Sequence, residues 1–192
     1  MEIDGNKYKI VKNNKIPFRT VLSSKKINLI NKCYEQNPTQ FKPTGFWYGI
    51  KYYWLDFMMY DYGLEDYTVE PTFKPKKNEH YYKGFLYEVV IPFNIFINIT
   101  HKPSQNKILI LKTKSDMIRF TKKYGERSKI FYGVGINWNN VMEEYGGIEI
   151  LYKQNTGSNM NYIFHYWYSL FDVPSGCIWN YNIIKKIKLT QI

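Results

Sequence analysis

One carboxylate stands out in this chain of 192 residues. Glu149 sits inside Tyr145-Gly-Gly-Ile-Glu-Ile-Leu-Tyr152, a run that otherwise reads as a core strand. A period of two puts Ile148, Ile150 and Tyr152 on one face and Glu149 with Leu151 on the other. Gly146 and Gly147 just before it leave room for a close neighbour. A carboxylate aimed into a pocket can stabilise a developing cation or hold a hydroxyl. The plain alternative is an edge-strand glutamate facing water.

Three other groups of residues invite chemistry. Phe46-Trp47-Tyr48, followed by Tyr52, Tyr53 and Trp54, is a dense aromatic block. Rings of this kind stack on flat heteroaromatic ligands, and they serve equally as core packing. Arg19 is a lone arginine in an apolar run, where a guanidinium meets a phosphate or a carboxylate, or sits on an exposed edge. Asp172 and Ser175 lie in Phe171-Asp-Val-Pro-Ser-Gly-Cys-Ile-Trp179 and suit a turn, whose backbone their side chains can cap.

Other chemistries have no signature. His80, His101 and His165 are far apart, and no HxxxH or CxxC spacing exists, so no metal is expected. Cys33 and Cys177 form no cluster, and Cys177 reads as a reduced core residue. Neither GxxxxGK nor GxGxxG occurs, which removes the P-loop and dinucleotide-fold readings.

Charge widens the question. Lys+Arg total 27 against 16 acidic residues, a net of +11 that attracts phosphates and polyanions. The only arginines are Arg19, Arg119 and Arg127. That poverty speaks against a base-reading surface, which favours the forked guanidinium. The Asn, Lys, Ile and Tyr richness is the composition of an AT-rich genome, such as that of a large DNA virus. Aromatic residues reach 19%, too many to lie exposed without a large adhesive patch. With 44% hydrophobic residues a core is assured and disorder excluded. No apolar run is long enough to span a bilayer, and the first residues lack an apolar leader core. An intracellular protein with no membrane partner is the expectation.

Residues 1–16 read as a basic lead-in, and 17–192 as a single domain. Strands are expected at 17–22, 45–50, 106–111, 147–152 and 177–184, and 81–91 with 93–99 read as one or two more, where Pro92 breaks the run or marks an edge. Helices are expected at 25–36, within 51–63, in the segment capped by Thr113 or Ser115, and in a short one capped near Asn137. Residues 63–79 read as a loop or flap. Strands outnumber short helices with no βαβ rhythm, so the fold class is α+β.

Taken in order, Phe18-Arg19-Thr20, Gly45-Phe46-Trp47-Tyr48-Gly49 and Gly147-Ile148-Glu149-Ile150 resemble the signature of the ADP-ribosyltransferase-like superfamily. The resemblance spans about residues 17–180. It implies a split, two-sheet, antiparallel-rich α+β core with peripheral short helices and an NAD cleft. By that resemblance Arg19 orients NAD, with nearby lysines on the diphosphate. Trp47, Tyr48 and Tyr52 hold the nicotinamide, and Glu149 is the catalytic residue. The implied activity is ADP-ribosyl transfer to a protein or nucleic-acid acceptor, or NAD hydrolysis. Glu149→Gln would then lower turnover by about 10²–10³ and spare the fold. The competing expectation is a non-catalytic basic module that binds nucleic acid or a host partner.

Overall fold

Alternating β-formers and aromatics do set the architecture. A computed structural model describes residues 18–23, 26–27, 36, 41–51, 53–54, 57, 85–127, 133–152, 165–169 and 171–189. Ten strands occur among them. These are β1 (Arg19–Ser23), β2 (Phe46–Ile50), β3 (Phe85–Val90), β4 (Phe96–Asn98), β5 (Ser104–Leu111), β6 (Gly125–Arg127), β7 (Val134–Ile136), β8 (Tyr145–Ile150), β9 (Ser175–Ile178) and β10 (Lys186–Leu189). Eight form one sheet in the order β10-β3-β1-β2-β9-β8-β5-β4, and β6 with β7 forms a small second one.

The α+β class holds. The two sheets are unequal, however, and the large one is mixed. β4, β5 and β8 run parallel to one another, and the other neighbours are antiparallel. The parallel β5–β8 pair requires a crossover. That is built by α1 (Lys114–Tyr124), the β6–β7 hairpin and α2 (Trp138–Glu144).

Local chemistry explains the two helices. Thr113 accepts the Asp116 N–H and Asp116 accepts the Thr113 N–H, a reciprocal cap for α1. Asn137 accepts the Asn140 N–H at the start of α2. Met117, Phe120 and Tyr124 of α1, with Trp138 and Val141 of α2, bury one face of the sheet through Leu109, Leu111, Ile148, Ile150 and Cys177. Trp167, from the single-turn α3 (His165–Tyr168), enters the same core and donates its indole N–H to Thr121 Oγ1 at 2.9 Å. The opposite face carries a second cluster that includes Tyr48, Ile50, Val89, Ile108, Ile178 and Ile183.

Two strand expectations need correction, and one strand was not expected. The 93–99 run opens as a 3-10 turn, Phe93–Ile95, directly after Pro92, and only Phe96–Asn98 is extended. The 177–184 run leaves the sheet after Ile178. There the Trp179 indole N–H reaches the Tyr145 carbonyl, and Asn180 caps the 3-10 turn Tyr181–Ile183. The closing Lys-rich residues, for which no element was expected, pair with β3 as β10. The 1–16 lead-in, most of the 25–36 helix with Cys33, the 63–79 flap and His80 lie outside the described residues.

Candidate functional site

The sheet register draws three distant side chains together. Ile110, Glu149, Gly176 and Tyr48 stand opposite one another in turn across β5, β8, β9 and β2. Arg19 stands opposite Ile50, which shares the face of Tyr48 two residues away. Arg19, Tyr48 and Glu149 therefore project from one face. Gly176 lies between Tyr48 and Glu149 and offers no side chain. A methyl group placed there would lie 2.3 Å from Tyr48 Cζ. The Tyr48 ring thus crosses the sheet above Gly176.

Its hydroxyl donates to Glu149 Oε2 at 2.8 Å. Arg19 Nε donates to the same oxygen at 2.6 Å, and a terminal N–H of Arg19 donates to Oε1 at 2.9 Å. This is a two-pronged ion pair, the strong geometry for guanidinium and carboxylate. The Phe96 ring lies under the guanidinium, 4.0 Å from centroid to Cζ. Glu149 is 0% exposed, Tyr48 3% and Arg19 5%. β8 is flanked by β5 and β9, so Glu149 is not an edge residue.

Burial alone would lower the Arg19 pKa, but the hydrogen bonds and charge of Glu149 outweigh it and raise the value. Burial pushes the Tyr48 phenol well above its ordinary 10.0, and the Glu149 charge adds to this while Arg19 opposes it. Burial also raises the Cys177 thiol above 9.0 and the Tyr124 phenol above 10.0. The sign for stability follows. Above pH 10 the unfolded chain loses a Tyr48 proton that the native chain keeps. Each further pH unit then removes about 1.4 kcal/mol per such group. Stability should be fully present below this range and fall as pH rises through it. In urea titrations from pH 9 to 11.5, Tyr48→Phe should show a shallower fall by about one proton's worth. An identical slope in that variant would assign the alkaline loss elsewhere.

A hollow adjoins the triad at Tyr48 only; neither Arg19 nor Glu149 is among the described residues that line it. Among the described residues β1 and β2 share two residue pairs, Arg19–Ile50 and Thr20–Gly49. Beyond them β1 continues against β3 to Ser23, and β2 continues against β9 to Phe46. The two strands part, and a cavity of about 360 Å³ opens at the fork. Thr20, Val21 and Leu22 line it from β1, Trp47, Tyr48 and Gly49 from β2, and Ser175 from β9. Trp54, Lys42, Asp172 and Val173 complete the wall.

Gly49 stands between Thr20 and Ser175 in the ladder and keeps the floor open. Lys51, at φ +53°, then turns the chain sharply, and the Thr20 hydroxyl donates to its carbonyl at 2.5 Å. That turn brings the helical Trp54 back over Gly49, with its Cβ 3.0 Å from where a glycine methyl would stand. The left-handed turn costs about 1–2 kcal/mol, which the surrounding contacts must offset. The Trp47 indole is held by its N–H on the Pro43 carbonyl at 3.1 Å and by the Phe171 ring at 5.4 Å.

The expected site residues are therefore divided. Arg19, Tyr48 and Glu149 meet in the buried triad. Trp47 points to the other, helix-covered face and lines the hollow, so Trp47 and Tyr48 do not form one ring platform. Tyr52 lies outside the described residues. Asp172, expected to cap a turn, faces Lys42 at 3.4 Å. Lys42, Phe96 and Gly176 were not anticipated. Gly176 carried a readable sign, being a lone glycine between core residues in a strand, where backbone or ring approaches closely.

No group of three or more His, Cys, Asp or Glu among the described residues is placed to hold a metal ion. No helix among them is long and apolar enough to cross a membrane. Set against known proteins, the chain matches no family model, no curated protein and no solved structure.

Proposed function

We propose that the fork between β1 and β2 binds a flat heteroaromatic ligand of the nucleotide class. One observation carries the reading: a preformed hollow of about 360 Å³ walled by the indole-bearing Trp47 and Trp54 and floored by open strand surface. That size falls in the range of small-molecule sites. Indole faces take any planar ring, and the Ser175 hydroxyl on β9 adds an orienting donor and acceptor. Calorimetric titration with NAD, nicotinamide mononucleotide and a short oligonucleotide tests it. Saturable binding of the small ligands is expected, weakened about tenfold or more in Trp47→Ala, the worth of one stacked ring. Binding of the oligonucleotide alone would favour the basic nucleic-acid module instead.

A second reading is favoured by the meeting of Arg19, Tyr48 and Glu149. In it the ligand is NAD, and the chain transfers ADP-ribose or hydrolyses NAD. The C1′–N bond breaks, and its electron pair leaves with nicotinamide as a neutral ring. Positive charge grows at the ribose and needs a carboxylate beside it. Both Glu149 oxygens are engaged here. Catalysis thus requires Arg19 to exchange the carboxylate for the ligand's diphosphate. Water or the acceptor then attacks C1′ and passes its proton to Glu149 or solvent.

Nicotinamide release, followed by chromatography, should fall about 10²–10³-fold in Glu149→Gln. Glu149→Asp keeps the charge near Arg19 but withdraws the carboxylate by one methylene, and it should fall too. Undiminished release in a variant that still melts cooperatively would end the transfer reading and leave the binding reading standing.

A further inference from the structure

Among the described residues the hollow is lined by one ammonium, that of Lys42, and its placement is built. Lys42 precedes Pro43, whose carbonyl accepts the Trp47 indole N–H at 3.1 Å and lies 3.7 Å from Cys177 Sγ. Its Nζ stands 5.8 Å from the Trp47 ring centroid and 5.8 Å from that of Phe171. Asp172 follows the buried Phe171, whose N–H is tied to the Tyr168 carbonyl at 2.8 Å. Two residues on, the Pro174 carbonyl accepts the Ile50 N–H at 3.1 Å. Both charged residues thus rise from fixed backbone at the mouth of a hollow whose other walls are mostly apolar.

Their mutual hold is loose. Lys42 Nζ and Asp172 Oδ2 are 3.4 Å apart, with side chains 39% and 37% exposed. Pairs of this kind contribute little and exchange partners readily. A doubly charged phosphate arriving at the mouth would be a stronger partner for the ammonium than one carboxylate. Asp172 would then stand beside the phosphate as a like charge.

We propose that Lys42 and Asp172 together set selectivity for the phosphorylated form of a ring-bearing nucleoside. Lys42 binds the phosphate, and Asp172 competes with it. The inference rests on the hollow being a ring-binding site. It assigns the rim a separate task from the indole walls, which hold the ring whether or not a phosphate is attached.

The test titrates nicotinamide mononucleotide and nicotinamide riboside, which differ by the phosphate alone, into the wild type, Lys42→Gln and Asp172→Asn. Lys42→Gln should weaken the mononucleotide about fivefold, and Asp172→Asn should tighten it about threefold, as expected for a partly screened charge contact. The riboside should change less than about twofold in either variant. Equal changes for both ligands would overturn the inference, because Lys42 would then act only as part of the ring wall. If the wild type binds neither ligand, the hollow reading fails, and this inference fails with it.

Discussion

Glu149→Gln should unfold far more easily than the wild type, by about 3–5 kcal/mol in urea titration at neutral pH. The glutamine keeps the shape and loses the charge. Arg19, 5% exposed and tied to both oxygens, loses the charge of Glu149 inside a low-dielectric face. The substitution therefore does not spare the fold, as the sequence alone led one to expect. Removing both partners is a different matter. A buried ion pair replaced by apolar residues of similar volume is often neutral or better. Arg19→Met with Glu149→Leu should recover most of the lost stability, even though each single change is severe. The double variant strands the Tyr48 hydroxyl, so recovery should be fuller with Tyr48→Phe added. A single Glu149→Gln variant within about 1 kcal/mol of wild type would mean that water or another anion reaches Arg19.

Gly176→Ala should be nearly as damaging, though it adds only a methyl group. The new carbon would lie 2.3 Å from Tyr48 Cζ and 2.4 Å from its hydroxyl oxygen, distances no non-bonded pair of heavy atoms tolerates. The ring must lift from the sheet, and the bond to Glu149 goes with it. Overpacking costs about 1–3 kcal/mol, and a lost hydrogen bond to a charged group about 1.5–3 more. A total of about 3–5 kcal/mol is expected. The check is a double-mutant cycle with Tyr48→Val, which clears the ring away. In that background Gly176→Ala should cost less than about 1 kcal/mol. An undiminished cost there would place the clash somewhere other than the tyrosine.

Much of this was readable before any coordinates. The strand at 45–50, the Thr113-capped helix and the Asn137-capped helix follow from patterns confined to ten or so residues. The facing of Glu149 with Leu151, away from Ile148 and Ile150, also needed only the period of two. What local pattern does not contain is which strand lies beside which. Trp47 and Tyr48 look alike as stacking residues, yet adjacency in a strand sends them to opposite faces. Arg19 and Glu149 are separated by 130 residues, so only the register across β1, β2, β9 and β8 brings them together. The same holds for Lys42 and Asp172, an ion pair made by two loops. The break at Pro92 was read from residue type, though not the 3-10 turn that follows it, and the one at Asn180 was lost within a long run of β-formers. Gly176 was visible as an oddity, but its reason, a ring crossing above it, belongs to tertiary packing.

The distance in sequence between Arg19 and Glu149 also governs how the chain can be made. A ribosome emits its product at about 5–20 residues per second. The arginine therefore emerges roughly ten seconds before the carboxylate that will neutralise it. Throughout that interval it must stay hydrated, so β1 cannot settle against its final neighbours, and the apolar side chains of that face wait as well. Such long-range closure is slow to nucleate. A nascent chain stalled before residue 149 would hold a half-sheet whose arginine still lacks the Glu149 carboxylate. That makes it a natural client for chaperones during translation.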